Sequence, residues 1–411
     1  MTKRKMKLRG KITIFLLVAI VITVIFNFLD FSFKKDNNTK PPVVNEPKTE
    51  EYELSLVMAG DVLIHGAIYL DAQIGLDEKD IMRYDFRSIF SEIKDYFLSY
   101  DLRFVNQESP IGGQELGVRS YPTFNSPYEI GDALLDLGVN LVSLANNHTL
   151  DAGTKGVENS LKYWGNSGAI YAGSFPSKEA QEPAIYEMNG IKYAFFAYTE
   201  STNGISVPIG REHYISLVDY DKITSDIEKV KDKVDIIIVS MHWGSEYHSN
   251  ESSKQRDHAK FLADLGVDII IGHHPHVVQP VEFIEREDGR KTFVAYSLGN
   301  FIAAQGCIDR RVGVLVGLDI KKKVVDNNTE IELLSPRAML FYQNSDNNRK
   351  NYKIIPFSKM TNELLKNSSP NNVPAYPNLC NNSDKSLDMN HYREKYEKTL
   401  TKYVEDLEIV R

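Results

Sequence analysis

Two short, continuously apolar segments constrain the fold of this chain more than any other feature of its sequence. They read DIIIVS at residues 235–240 and VDIIIG at residues 267–272. Runs of this length without alternation of apolar and polar residues are typical of strands covered on both faces. The two segments therefore favour a layered α/β protein in which helices cover a central sheet.

The order of the remaining segments agrees with this interpretation, because apolar β-rich runs alternate with amphipathic segments from residue 51 onward. We predict an α/β domain at residues 51–345. A C-terminal extension at 346–411 follows, with a linker rich in Asn, Ser and Pro and a terminal helix. The predicted strands are 54–59, 102–106, 140–144, 192–198, 235–241, 267–271, 292–297 and 312–320, and the predicted helices are 86–98, 128–137, 155–164, 220–231 and 252–265.

The N-terminus combines basic residues with an uncharged apolar run. Six Lys and Arg residues lie within residues 1–11, and residues 12–29 carry no charge. A helix of that length spans about 27 Å, which suffices for the core of a bilayer. A buried core helix and a cleaved signal peptide are the alternatives. We expect a cytoplasmic tail at 1–11, a transmembrane signal anchor at 12–29 and an extracytoplasmic stalk at 30–50, which together predict a single-pass protein of the cell membrane.

Charge and cysteine content narrow the classes of partner and cofactor. The chain has 48 Lys and Arg against 56 Asp and Glu, a formal net charge of -8, so we expect no nucleic-acid partner. Its two cysteines, Cys307 and Cys380, are too few for a thiolate metal cage. A metal site in this chain would therefore use imidazole, carboxylate and amide ligands.

Polar side chains of this kind follow five of the predicted strands. Ligands bind at the carboxyl ends of strands in open α/β sheets, so these residues are expected to share one edge. A lone histidine is more often structural, but agreement among five strand ends favours a metal site for Zn, Mn or Fe. The candidates are Asp61 and His65, Asn106 and Glu108, Asn147, His148 and Asp151, His242, and His274 and His276.

The other histidines receive structural interpretations. His273 is interpreted as a bystander, and His213, His248 and His258 as solvated side chains in polar stretches. Asn300 follows another predicted strand and can make a polar contact at the same edge. The sequence contains no Walker A motif, no dinucleotide-binding fingerprint and no Gly-x-Ser-x-Gly elbow.

Seven sequence blocks stand out between residues 51 and 305. In chain order they are AGDVLIH, NQESPIGG, YPTFNSP, LANNHTLDAG, MHWGSEY, IGHHPHVVQP and YSLGNFI. In order and in spacing these blocks resemble the signatures of CapA-type poly-γ-glutamate capsule synthesis proteins. The resemblance implies a calcineurin-like metallophosphatase fold of the α/β class. This is a four-layer α-β-β-α sandwich of two mixed sheets, here preceded by one N-terminal transmembrane helix.

The resemblance also implies roles for individual residues. Asp61 and His276 would hold one divalent ion. Asn147, His242 and His274 would hold a second ion. His148 would face the substrate as a proton donor or as a stabiliser of charge on the leaving oxygen, with Asp151 as its hydrogen-bonding partner.

Two positions depart from the pattern of related phosphatases. Leu63 stands where those proteins have a histidine on the first strand, and His65 lies two residues further along. The neutral side chain of Asn106 stands where an aspartate bridges the two ions, and Glu108 is the nearby carboxylate that can take its place. Occupancy by one ion or by two stays open.

The function implied by the resemblance is poly-γ-glutamate capsule biosynthesis, export or attachment. Its expected partners are membrane synthase or export subunits of a capsule system, and its expected substrate is an anionic polymer or a phosphate-containing compound. If the site is active, a phosphoesterase-like metal-dependent hydrolase is expected. The alternatives are a free-standing extracytoplasmic metallophosphoesterase and a non-catalytic scaffold that binds polymer, because fold analogy alone does not fix function.

Overall fold

The computed structural model describes residues 18–25, 27, 48–326, 328–368, 384 and 386–411. Residues 18–25 and 27 are helical. Nowhere in these described ranges is there a helix with the length and apolar character that a membrane crossing requires.

The prediction of a transmembrane helix at 12–29, and with it the single-pass membrane location, is therefore wrong by this finding. The other residues of that range lie outside the described residues, as do the predicted tail at 1–11 and most of the predicted stalk. The description below concerns the compact unit Thr49–Arg411.

The first of two mixed sheets has the strand order β16-β15-β14-β1-β4-β5-β6, with β13 beside β1 and β17 beside β15. Its members β1, β4, β5 and β6 are parallel neighbours, whereas β14, β15 and β16 extend the sheet by antiparallel pairing. The strands are β1 (Thr49–Val62), β4 (Leu102–Asn106), β5 (Leu141–Ser143), β6 (Ile170–Ala172), β13 (Asn300–Ile302), β14 (Val312–Val325), β15 (Asn328–Asn344), β16 (Lys353–Pro356) and β17 (Glu408–Ile409).

The second sheet has the order β11-β12-β10-β9-β8-β7, and its four central strands are parallel. A separate hairpin of β2 (Gln73–Leu76) and β3 (Met82–Tyr84) follows β1. The strands of the second sheet are β7 (Tyr186–Met188), β8 (Ile191–Thr199), β9 (Ile236–His242), β10 (Ile269–His273), β11 (Val281–Glu285) and β12 (Lys291–Ala295).

Helices cover the outer face of each sheet. Three of them, α2, α3 and α4, pack on the first sheet, and α5 and α6 pack on the second. The predicted helix at 86–98 is divided into a 3-10 turn, Arg87–Phe90, and the short helix α2. The helices of this unit are α1 (Gly66–Asp71), α2 (Lys94–Leu98), α3 (Tyr128–Asp136), α4 (Gly153–Ser167), α5 (Tyr220–Glu228), α6 (Ser253–Asp264), α7 (Ile308–Arg311), α8 (Asn362–Asn367) and α9 (Met389–Leu400).

The apolar run in β9 shows why its residues do not alternate with polar ones. Ile236 and Ile238 face the core between the two sheets, and Ile237 and Val239 face the core beneath α5 and α6. All four side chains are buried. The prediction that this segment is a strand covered on both faces is confirmed, and the architecture is a mixed α/β sandwich.

The C-terminal residues complete the same structure. Tyr392, Tyr396 and Leu400 form a buried stripe on α9 that belongs to the core between the sheets, and β17 pairs with β15. Residues 369–383, which make up most of the predicted linker, lie outside the described residues. The boundary proposed at residue 345 stays a prediction.

Candidate metal centre

The carboxyl ends of strands from both sheets meet at one edge of the sandwich. Asp61 lies near the end of β1, Asn106 ends β4 and His242 ends β9. The Nδ2 atom of Asn106 donates to Asp61 Oδ1 at 2.8 Å and lies 3.4 Å from His242 Nδ1. Side chains predicted from separate strand ends are thus in contact across the two sheets.

Two glycines permit this close approach. A Cβ atom on Gly60 would lie 1.8 Å from the carbonyl oxygen of Gly299, and one on Gly272 would lie 2.1 Å from that of Tyr296. Both distances are below van der Waals contact, so no other residue fits at either position without moving the neighbouring chain. These glycines directly precede Asp61 and His273 and set the position of the cluster.

Glu108 is the most informative residue of the edge. Its side chain is fully buried, and neither carboxylate oxygen has a hydrogen-bond partner among the described residues. Its Oε1 atom lies 3.7 Å from His242 Nε2 and 3.7 Å from His276 Nε2. Burial raises the pKa of Glu108 well above its ordinary value. An orphaned buried carboxylate facing two imidazoles fits a divalent cation.

Three overlapping sets of donors can each surround one ion, with ligand atoms within 4.8 Å of one another. Two of the sets share Glu108, so this carboxylate could serve a second ion where the side chain of Asn106 is neutral. The third set includes an exposed acid, Glu246, which follows β9. The sets are Asp61, Glu108 and His276; Glu108, His242 and His274; and Glu246, His274 and His276.

An unusual backbone orients the two histidines of the His-Pro-His segment. His274 and His276 have φ values of 93° and 59°, a left-handed conformation that costs free energy for residues other than glycine. The carbonyl of Pro275 between them accepts from the amide of Tyr247 at 2.7 Å. The Nδ1 atom of His276 lies 2.9 Å from Asn300 Oδ1, which fixes the direction of its Nε2 atom.

The two histidines titrate in opposite directions. Burial opposes protonation of His276, but the charge of Glu108 and the contact with Asp61 raise the pKa of His276 to about 9. Burial and the nearby charge of His276 lower the pKa of His274 to about 4. His274 is therefore neutral at pH 7.

Asp61 is held ionised at the centre of the cluster. Burial by itself would raise the pKa of Asp61, but hydrogen bonding from His273 and His276 lowers it well below its ordinary value. Its Oδ2 atom lies 3.2 Å from His276 Nδ1 and 3.4 Å from the backbone nitrogen of His274. A charged, oriented carboxylate is the state that binds a cation.

Asn147 and His242 are also in contact. The Oδ1 atom of Asn147 lies 3.0 Å from His242 Nε2, and Asn147 Nδ2 donates to Asn203 Oδ1 at 3.2 Å. Burial lowers the pKa of His242 well below its ordinary value, so the ring is neutral and one of its nitrogens can act as a ligand.

His148 and Asp151 form a pair beside this cluster. Asp151 Oδ2 lies 2.7 Å from His148 Nδ1 and also accepts from the amide of Phe124 at 2.7 Å. The Phe124 ring meets His148 edge to face, with 4.8 Å between centroids. The acid and the aromatic ring together fix the orientation of the imidazole.

His65 is not brought into any of the three donor sets. Its Nδ1 atom lies 3.0 Å from the carbonyl oxygen of Leu63 and accepts from the amide of Ala304 at 3.3 Å. Burial lowers the pKa of His65 to about 3. The chain turns into α1 directly after this residue, and the ring faces the backbone of Leu63 and Ala304 instead of joining the cluster.

Other polar residues of the edge were not singled out from the sequence. Glu246 supplies a ligand set and Asn203 joins Asn147 to His148. The one sequence feature that could have indicated Glu246 is its position four residues after His242. No local sequence pattern indicates Asn203. The interpretation of His213 and His258 as solvated was wrong, because both are buried.

The chain thus forms a mixed α/β sandwich that gathers imidazole and carboxylate side chains at the carboxyl ends of its strands. Residues 55–305 match the family described as bacterial capsule synthesis protein PGA_cap. The match covers more than half of the chain, and the chain belongs to this family.

Named relatives agree with this assignment. The chain is 27% identical over 294 residues to capsule biosynthesis protein CapA of Bacillus anthracis, a match covering 69% of this chain and 66% of that protein. It is 27% identical over 340 residues to PGA biosynthesis protein CapA of Bacillus subtilis strain 168, covering 78% and 80% of the two chains. The first match covers just under two thirds of the length of that relative. The activity of the whole relative is therefore carried to this chain only as a proposal.

Solved structures also resemble this chain, with low TM-scores and low sequence identity. An NAD nucleotidase, NadN, of Haemophilus influenzae aligns with a TM-score of 0.44 and 12% identity, over 85% of this chain and 67% of that chain. A putative 5'-nucleotidase of Staphylococcus aureus aligns with a TM-score of 0.39 and 12% identity, over 74% and 54%. Neither likeness bears on what this chain binds.

Proposed function

We propose that this chain is a metal-dependent hydrolase of the phosphoesterase type that acts in the synthesis of a poly-γ-glutamate capsule. The observation that carries the proposal is the Glu108 carboxylate, which is buried without a hydrogen bond among the described residues and faces the imidazoles of His242 and His276. Membership of the family supports the capsule context. The choice of polymer is supported by the family description and the name of one relative.

The residues fit one or two divalent ions. Asp61, Glu108 and His276 would hold one, and His242 and His274, with Asn147, would hold another against the shared Glu108. Imidazole, carboxylate and amide donors without thiolate suit Mn, Zn or Fe. When bound, such an ion polarises a phosphoryl oxygen and lowers the pKa of water.

His148 is the residue we assign to proton transfer. Asp151 engages its Nδ1 atom, so Nε2 is the ring nitrogen that can hold a proton for the leaving oxygen. His148 belongs to none of the donor sets, so its role is separable from ion binding. Phe124, whose ring packs against His148, keeps the imidazole in this orientation.

As substrate we propose the anionic polymer or a phosphate-containing intermediate of its assembly, and as partners the synthase or export subunits of a capsule system. The formal net charge of -8 does not favour a polyanion through the overall field of the protein. A cation held in the buried cluster would supply the local positive charge that such a substrate requires.

The test is hydrolysis of bis(p-nitrophenyl) phosphate by the full chain with added Mn²⁺, compared with His148→Gln. We expect kcat to fall by about 10²- to 10⁴-fold, because a general acid is removed, while KM and metal content stay close to wild type. His391→Gln, which alters an exposed histidine on α9, is the control and should leave turnover unchanged.

Metal content measured by elemental mass spectrometry separates the alternatives. Near-stoichiometric metal that falls in His274→Ala supports the centre. Protein that retains no metal after reconstitution with Mn, Zn or Fe would reject the hydrolase and leave a scaffold that binds polymer. Metal without any phosphodiesterase activity would reject the proposed reaction alone.

A further inference from the structure

His273 is a buried imidazole that no ligand set includes. It is the last residue of β10, its side chain has no exposed surface, and its ring stacks on Phe104 with 5.3 Å between centroids. Neither ring nitrogen has a hydrogen-bond partner of good geometry among the described residues. Its Nδ1 atom nevertheless lies 3.4 Å from Asp61 Oδ1.

Packing alone does not account for this residue. A phenylalanine would make the same stack on Phe104 without bringing polar nitrogens into an apolar layer, where they are unfavourable unless hydrogen-bonded. The nitrogen that points towards an acid is Nδ1, and that acid is Asp61. The position of His273 is thus explained by the carboxylate it faces.

The surroundings of Asp61 show what such a contact adds. Its Oδ2 atom faces His276, a ligand candidate, whereas its Oδ1 atom faces Asn106 Nδ2 at 2.8 Å and His273 Nδ1. Asn106 donates to Oδ1 and the His273 ring lies beside the same oxygen, whereas Oδ2 is directed at His276. Partners of this kind orient metal-binding groups in other proteins and raise their affinity.

We propose that His273 is a positioning residue that holds the Asp61 carboxylate, through a proton on Nδ1, in the orientation that binds a divalent ion. The inference rests on the metal centre proposed above. The backbone fixes the ring for this role: His273 pairs in register with His242 of β9, and its carbonyl accepts from the amide of Trp243 at 3.1 Å.

The experiment measures Mn²⁺ binding to the full chain by isothermal titration calorimetry, together with urea unfolding of the metal-free protein. His273→Phe keeps the aromatic stack and removes the donor. We expect its dissociation constant to rise by about 10- to 100-fold. Its unfolding midpoint without metal should equal or exceed that of wild type, because a buried unpaired nitrogen is removed.

A matched control is His213→Phe. His213 is also buried and meets Tyr214 edge to face, and its Nε2 atom has no hydrogen-bond partner among the described residues, but it lies outside the cluster. Its substitution should leave Mn²⁺ affinity unchanged. A loss of affinity in both variants would trace the effect to general loosening of the core and overturn the inference.

A second pair of variants removes the dependence on how well His273→Phe folds. Asparagine places a donor where Nδ1 lies, and leucine has a similar shape without one. His273→Asn should keep affinity within a few-fold of wild type, and His273→Leu should lose it. Equal affinity in these two variants, or wild-type affinity in His273→Phe, would refute the positioning role while leaving the metal centre intact. Wild-type protein that binds no Mn²⁺ would refute both.

Discussion

Two buried carboxylates, one before the start of a strand and one after the end of another, differ in their hydrogen-bonding partners. Asp268, just before β10, accepts from the amide of Ile237 at 2.8 Å and pairs with Arg286 at 2.8 Å and Arg290 at 2.7 Å. Glu108, at the carboxyl end, is equally buried, and its carboxylate oxygens have no hydrogen-bond partner in the described structure. Burial raises the pKa of both acids.

The difference lies in the partners and not in the burial. The charge of Asp268 is neutralised by residues of the same chain, so its role is complete once the sheet has folded. The oxygens of Glu108 face imidazoles that are themselves candidate ligands, and no residue in the described ranges donates a hydrogen bond to them. A satisfied buried acid indicates architecture, and an unsatisfied one indicates a site that binds something.

The largest change in stability is expected for Asp268, the buried acid whose hydrogen bonds and charge are partnered. Asp268→Ala leaves Arg286, only 5% exposed, without its buried acid and frees the amide of Ile237. We expect the free energy of unfolding to fall by about 3 kcal/mol, as for other broken buried pairs. Urea unfolding at pH 7 measures the change.

The control for this variant is Asp264→Ala, which removes an exposed acid paired with Lys260 on α6. Because that pair is in solvent, its loss should change stability by no more than about 0.5 kcal/mol. A loss below about 1 kcal/mol in Asp268→Ala would contradict the view that this acid is structural.

The next effect concerns the orphaned acid. Glu108→Gln keeps the size of the side chain and removes the charge, so the metal-free variant should be as stable as wild type or more stable by about 1 kcal/mol. With Mn²⁺ at 100 times its dissociation constant, wild type should gain about 2.7 kcal/mol and the variant less than half of that.

Glu129→Gln is the matched control for Glu108→Gln. Burial raises the pKa of Glu129 as well, but this acid on α3 has hydrogen-bonding partners and lies outside the donor sets. It should keep the full gain with Mn²⁺. If Glu108→Gln also kept it, Glu108 would not be a ligand and the comparison with Asp268 would fail.

Much of this contrast is visible in the sequence, for a physical reason. Strands buried on both faces produce uninterrupted apolar runs, so β9 and its parallel neighbours are predicted within a few residues. Chain polarity then places the residues after these strands at one edge, which brings Asp61, Asn106 and His242 together. Short edge strands such as β6 and β7 have no such pattern and were not predicted.

What the sequence could not supply is the direction of each side chain. In sequence, His65 lies four residues after Asp61 and His273 directly before His274. In the structure, the His65 ring faces the backbone of Leu63, whereas the His273 ring faces Asp61. A change of one residue along a strand reverses the face, and a turn into a helix redirects the next side chain. Pairings such as Asn203 with Asn147 depend on loops that share no local pattern.

A third acid sharpens the comparison because it is partly exposed and fully partnered. Glu200 accepts from His258 Nε2 at 2.9 Å and pairs with Lys254 at 2.7 Å. Its other oxygen accepts from the amide of Gly244 at 3.0 Å. Burial opposes ionisation, but these hydrogen bonds outweigh it and lower the pKa of Glu200 to about 2.

The sign of the pH dependence follows from that value. The folded pKa lies below the unfolded one, so Glu200 stabilises the protein above about pH 4.5 and its contribution is lost as the pH falls towards 2. At pH 6 Glu200→Gln should be less stable than wild type by about 2 kcal/mol, after allowance for solvent screening. At pH 2.5 the difference should be less than half as large, whereas Glu78→Gln, at an exposed position, should show no such change.

A difference that stayed constant between the two pH values would mean that the partners of Glu200 bind the neutral side chain equally well. In that case, the number of hydrogen-bonding partners would not distinguish acids that stabilise the fold from Glu108, whose carboxylate has none among the described residues.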